Sequence, residues 1–262
     1  MSAAAEQIEA LLRLCAQLRD PHDGCPWDRA QTLATIAPHT IEEAYEVADA
    51  IDNSDPTRIR DELGDLLFQV LLHSQLAREH GWFDFSQVAA GLHDKLVRRH
   101  PHVFGTKSAG NGNDLARDWD SHKAAERAAA GLAGALAGVP KALPALIRAA
   151  KLGRRAARVG FDWPDEQAVR SKIAEELRET EAAVTANDPA AIAEELGDTL
   201  FALVNWARQL HVDPEAALRG ANEKFERRFA AMEAMIAARG HTVAELSAER
   251  WEQLWIEAKA AE

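Results

Sequence analysis

Cysteine and positive charge are both scarce in this chain. Two cysteines, Cys15 and Cys25, offer no paired-ligand spacing. Neither a disulfide framework nor a thiolate metal centre is expected, and two ordinary thiols suit a reducing compartment. Thirty lysines and arginines stand against 42 aspartates and glutamates, a formal charge of −12. That balance excludes a surface built to embrace nucleic acid nonspecifically, because such binding replaces phosphate counterions with cationic side chains. Small phosphate ligands stay allowed, since a few local cations or a bound metal ion suffice to hold them.

Other absences narrow the field further. No apolar run approaches the ~18 residues of a membrane span. The opening MSAAAEQIEALLRLCAQLRD carries early acids and an apolar period near 3.6, not the basic start and continuous apolar centre of a signal peptide. A cytoplasmic protein with no membrane partner is expected. There is no Gly-rich loop ending in Lys-Ser or Lys-Thr and no strand-associated dinucleotide fingerprint, which disfavours P-loop and Rossmann binding. No metalloprotease histidine pair occurs, and no run of alternating β-branched residues competes with helix.

What the chain does contain, it contains twice. The first half reads EEAYE at 42–46, NSDP at 53–56 and DELGD at 61–65. The second reads EELRE at 175–179, NDP at 187–189 and EELGD at 194–198. Glu43 to Glu62 is 62 − 43 = 19 residues, and Glu176 to Glu195 is 195 − 176 = 19. KLVRRH (95–100) resembles KFERRF (224–229), WDSHK (119–123) resembles WIEAK (255–259), and GCPWD (24–28) echoes GFDWP (160–164). Agreement in several blocks, in order, marks a duplicated domain.

With 47% hydrophobic residues, the chain has core material for two modest domains. Helical spacing and good helix formers run through 41–52, 56–79, 86–100, 144–158, 166–186, 190–210 and 214–238. The expected fold is all-α, two tandem units at 1–127 and 143–262 joined by the Ala/Gly-rich connector 128–142.

The acids have a geometric logic. Helical residues three apart share a face, as Glu43 and Glu46 do, and Glu62 and Asp65. Asp55 suits an N-cap and Pro56 the first helical position, so the chain should fold back as a hairpin. About Ser54, Glu46 and Glu62 lie at matched heights, and so do Glu43 and Asp65. About Asn187 the same holds for Glu179 with Glu195 and Glu176 with Asp198. Each hairpin therefore aims four carboxylates at one spot. Two charges ~6 Å apart repel by roughly 3 kcal/mol at an effective dielectric near 20. A divalent cation relieves that directly, and all-oxygen ligation favours Mg²⁺, Mn²⁺ or Ca²⁺ over zinc. A solvated acidic face is the plainer alternative. Against it, these acids interrupt apolar runs, LGDLLFQVLL and LGDTLFALV, that should be largely buried. Redox iron is disfavoured, because di-iron bundles carry a Glu-x-x-His pair on two helices and neither half has one.

Polyphosphate is the commonest ligand of such a cation. Lys95 with Arg99, and Lys224 with Arg228, are each four apart on a helix and could hold the remaining phosphate oxygens. Trp27, Trp163 and Trp255 could stack on a base, although an isolated Trp more often serves the core.

The blocks GCPWDRAQTLATIAPHTIEEAYEVADAI, DELGDLLFQVLLHSQ, KLVRRHPHVF, VGFDW and ANEKFERRF resemble the MazG family of tandem-domain nucleoside triphosphate pyrophosphohydrolases. The likeness runs over essentially the whole chain. The pattern EE-x-x-E…E-x-x-D is shared with a wider all-α superfamily, whereas CPWD…QT is far more specific. The resemblance implies a homodimer of four-helix units. It implies Mg²⁺-dependent hydrolysis of nucleoside triphosphates between the α and β phosphates, with the C-terminal copy carrying the main activity. It implies Glu176, Glu179, Glu195 and Asp198 as metal ligands. Lys172, Glu175, Lys224, Arg228, Trp255 and Lys259 would contact nucleotide or phosphate. By repeat, Glu43, Glu46, Glu62 and Asp65 would be the N-terminal ligands, with Lys95, Arg99, Trp119 and Lys123 as nucleotide contacts. Glu175 or Glu176 would position the attacking water, and Lys224 and Arg228 would stabilise the departing pyrophosphate. A metal-dependent nucleotide sensor that binds without hydrolysing is the reading from another class.

Overall fold

The computed structural model describes residues 2–105, 126, 131, 134–240, 242–243 and 246–261. Every regular element among them is helical apart from a short 3₁₀ turn, and none of the helices is long and apolar enough to cross a membrane. The chain divides into two compact units, residues 1–122 and 123–262. Trp119, Lys123 and part of the expected connector, 128–130 and 132–133, lie outside the described residues.

The first unit contains α1 (Ala3–Leu18), α2 (Pro26–Ala30), α3 (Leu33–Asp52), α4 (Pro56–Glu79), α5 (Phe85–Arg99) and α6 (Pro101–Phe104). α3 and α4 form the antiparallel hairpin, α1 packs on α4, and α5 follows alongside it. Ser54 takes the left-handed conformation, φ 53°. Asp55 then caps α4, its Oδ1 accepting from the Thr57 and Arg58 amides at 3.0 and 3.2 Å, with Pro56 at a position that needs no N–H. At the far end of the hairpin Ile36, Leu72 and Leu76 form the core, with Leu33 and Phe68 packed against them.

Sequence periodicity places the start of α3 at residue 41, and the structure starts it at Leu33. Thr32 closes a capping box with Thr35, and Pro38 lies inside the helix. A proline this near the N-terminus removes one ladder hydrogen bond, and the cap offsets the cost by satisfying the opening amides.

The second unit contains α7 (Ala145–Arg158), α8 (Glu166–Ala186), α9 (Pro189–Gln209), α10 (Pro214–Ala238) and α11 (Ala248–Ala260). The α8–α9 hairpin repeats the first: Asn187 has φ 54°, and Asp188 Oδ1 accepts from Ala190 and Ala191 at 3.0 and 3.2 Å. α7 lies against α9 so closely that a Cβ at Gly153 would collide with Asn205 Oδ1. α10 carries α11 through a core of Met232, Ile236, Leu254 and Ala258.

One expectation needs correction. The apolar runs of the hairpins are only partly covered. Leu71 and Leu72 are buried, but Leu63, Val70, Leu196, Leu200 and Leu203 are each more than a third exposed. Leu196, Leu200 and Leu203 recur at i, i+4 and i+7, hence on one face of α9. Each hairpin meets its own unit with one side only, so the other side keeps its leucines in solvent.

Candidate metal and nucleotide site

The hairpins do bring acids together. In the first unit Glu43 of α3 and Glu62 and Asp65 of α4 each offer an oxygen, all within 4.8 Å of one another. In the second, Glu176 and Glu179 of α8 and Glu195 of α9 do the same. The side chains thus converge in threes. Glu46 and Asp198 stand outside the trios. Both still act on them: Glu46 raises the Glu43 pKa and Asp198 raises that of Glu195. In each case partial desolvation is the larger cause and the neighbouring carboxylates add to it. Desolvation and like charge both favour the protonated acid.

The two clusters differ in how their charge is met. Glu176 is buried, and Lys172 sits one turn earlier with Nζ 2.7 Å from it and 2.8 Å from Glu175. Hydrogen bonding to Glu175 and Glu176 raises the Lys172 pKa, and the same lysine lowers that of Glu175. In the first unit Glu62 accepts from Arg58 Nε at 3.3 Å, while Arg58 also reaches Asp49 across the hairpin at 2.6 Å. Sequence reasoning missed this bridge, although an Arg–Glu pair four apart was the available signal.

Lys224 and Arg228 lie on α10, and Trp255 and Lys259 on α11. The Arg228 guanidinium stands over the Trp255 ring at 5.4 Å, and Phe225 packs on the same ring at 5.7 Å. Lys224 and Lys259 are exposed. In the first unit Lys95 and Arg99 occupy the end of α5. Trp27 is exposed and meets His39 edge-on at 6.3 Å, whereas Trp163 is half-buried.

The tryptophan loops are anchored by ion pairs of opposite polarity. Arg19, at the end of α1, pairs with Glu79 of α4 at 2.6 Å and donates to the Asp28 and Gln31 carbonyls. In the second unit the arginine is on the hairpin: Arg208 of α9 pairs with Asp162 of the loop.

Chemically, three hard oxygens within one shell, with no histidine or thiol among them, fit a hard divalent cation.

Comparison with known proteins agrees with this geometry. The MazG nucleotide pyrophosphohydrolase domain matches residues 31–104 and again 165–231, one match over each hairpin. The chain is 49% identical over 258 residues to the nucleoside triphosphate pyrophosphohydrolase of Escherichia coli K12, covering 98% of both chains. It is 40% identical over 262 residues to the nucleoside triphosphate pyrophosphohydrolase/pyrophosphatase MazG of Thermotoga maritima, covering all of this chain and 99% of that one. It is also 43% identical over 251 residues to the uncharacterised YabN of Bacillus subtilis, covering 94% of this chain and half of that one. Duplicated acid-bearing hairpins, matched one by one along their length, make this chain a member of the MazG family.

Proposed function

We infer that this chain is a nucleoside triphosphate pyrophosphohydrolase that uses Mg²⁺, with Mn²⁺ as a substitute, to convert NTPs to NMP and pyrophosphate. The observation that carries the reading is the pair of three-carboxylate clusters, each on a hairpin matched by the family domain. Glu176, Glu179 and Glu195 would hold the cation in the second half, with Asp198 beside them. Glu43, Glu62 and Asp65 would do so in the first, with Glu46 adjacent. When bound, the ion supplies neutralisation of the triphosphate and acidifies water for in-line attack at phosphorus.

The chain's own residues divide the remaining work. Glu175, held ionised by Lys172, is the base that orients the attacking water and takes its proton. Lys224 and Arg228 meet charge developing on the departing pyrophosphate. Trp255, with Arg228 above it, offers a face for the base. Lys172 and Lys259 contact phosphate oxygens, and Lys95, Arg99, Trp119 and Lys123 take the corresponding places in the first half. The active form is a homodimer, since the exposed Leu196, Leu200 and Leu203 face of α9 suits a second copy of itself.

Incubation with each NTP and Mg²⁺, with products resolved by ion exchange, tests the reaction. NMP with pyrophosphate supports it. NDP with phosphate overturns the bond assignment, and tight binding without turnover favours the sensor reading. Light scattering of the wild type and Leu200→Glu tests the dimer, which the substitution should split.

A further inference from the structure

One polar side chain near the first cluster has no role in the site as described. Gln69 of α4 is 7% exposed, and its Oε1 is buried without a hydrogen-bond partner. A buried amide oxygen left unpaired is unfavourable and calls for a partner. Its position shows where that partner lies. Gln69 follows Asp65 by four residues and Glu62 by seven, so the three share one stripe of α4. The next turn of the stripe is His73, whose Nε2 is 2.8 Å from Thr40 Oγ1 on α3. Leu72 and Leu76, flanking it, pack on Ile36 of the same helix. Since the stripe faces α3 both before and after Gln69, the amide lies between the helices, at the inner edge of the carboxylate trio.

The repeat sharpens the point. Gln69 plus 133 is residue 202, by the same offset that relates Glu43 to Glu176, and that residue is a buried alanine. The amide oxygen beside the first cluster therefore has no counterpart at that position in the second, where the hydroxyls of Thr180 and Thr199, each one turn beyond an acid of the trio, lie 3.4 Å apart between the helices.

We propose that Gln69 is a positioning residue of the N-terminal cation site, supplying a neutral oxygen to the ion or to a water in its shell, so that the two halves hold divalent cations with unequal affinity. This rests on the reading of the acid trios as cation sites. Neutral amide oxygens are ordinary donors to hard divalent ions, and the loss of a supporting partner typically weakens a metal site by about 10- to 100-fold.

The test uses the full chain with the second cluster silenced by Glu179→Gln and Glu195→Gln. Free Mn²⁺ is counted by electron paramagnetic resonance during titration, and melting is followed in chelator. In this background Gln69→Leu should weaken Mn²⁺ binding about tenfold, while its melting temperature in chelator is unchanged or higher. Gln69→Met, the less branched replacement, should do the same if leucine packs poorly. Ala202→Gln in the otherwise native chain should tighten the second site. Equal Mn²⁺ affinity in the background and in both Gln69 variants overturns the role of the amide and leaves the trio standing. A background that binds no Mn²⁺ overturns both.

Discussion

Lys172 Nζ lies 2.7 Å from Glu176, whose side chain is 6% exposed, so a buried carboxylate in an acid cluster takes its countercharge from a residue one helical turn away. Lys172→Met should therefore destabilise the metal-free protein by about 1–2 kcal/mol, below the cost of breaking a fully buried pair because the lysine is partly solvated. Thermal melts in chelator and in Mg²⁺ check this. The deficit should shrink in Mg²⁺, where a bound cation replaces the missing charge.

Acid stability should depend on the two loop anchors. The Arg19 guanidinium holds the Glu79 carboxyl below its ordinary 4.5, and Arg208 holds Asp162 below 3.8. On acidification the unfolded chain binds these protons first. The stabilisation is thus complete above the ordinary values and lost as pH falls through the folded ones. Glu79→Gln and Asp162→Asn should each cost about 1–2 kcal/mol at pH 7. Urea unfolding at descending pH should show each deficit shrinking below about 4.5 and 3.8 respectively.

The tight turns hold the hairpins in register. Asp188→Ala removes a cap that accepts from two amides and should cost about 1 kcal/mol. Asn187→Val, forcing a β-branched residue to φ 54°, should cost about 1–2 kcal/mol, whereas Asn187→Gly should be nearly neutral. Denaturant midpoints give all three, and the first two should also raise the Mg²⁺ concentration needed for turnover.

Activity should fall unevenly between the halves. Glu195→Gln should lower kcat by about 100-fold or more if the second half carries the main reaction, and Glu62→Gln should lower it much less. Trp255→Ala should raise KM by about tenfold with a smaller effect on kcat, as expected for a lost stacking face. Steady-state assays over a range of NTP concentrations separate the two patterns.

The hairpins were legible in the sequence because their signals are local. Asp55-Pro56 and Asp188-Pro189 carry the physics of a helix start in two letters, and acid spacing carries the face. The start of α3 was not legible: Pro38 is a local signal against helix, and the capping box at Thr32 and Thr35 overrides it, so the helix begins at Leu33 rather than at 41. Convergence of the acids was readable; which three of each four draw closest was not, since that depends on rotamers and on Arg58 and Lys172. Gln69 was visible as the one polar letter in LLFQVLL, but its unpaired oxygen is a property of packing. The exposed leucines of α9 were hidden because periodicity says that a face is apolar, not what covers it.

The reversed order of the two anchors bears on how a duplicated chain avoids tangling while it is being made. An early α1 that strayed onto the later hairpin would bring Arg19 towards Arg208, and a misplaced second loop would bring Asp162 towards Glu79. Both wrong assemblies meet repulsion where the right ones meet attraction. Giving both anchors the same polarity would erase this discrimination.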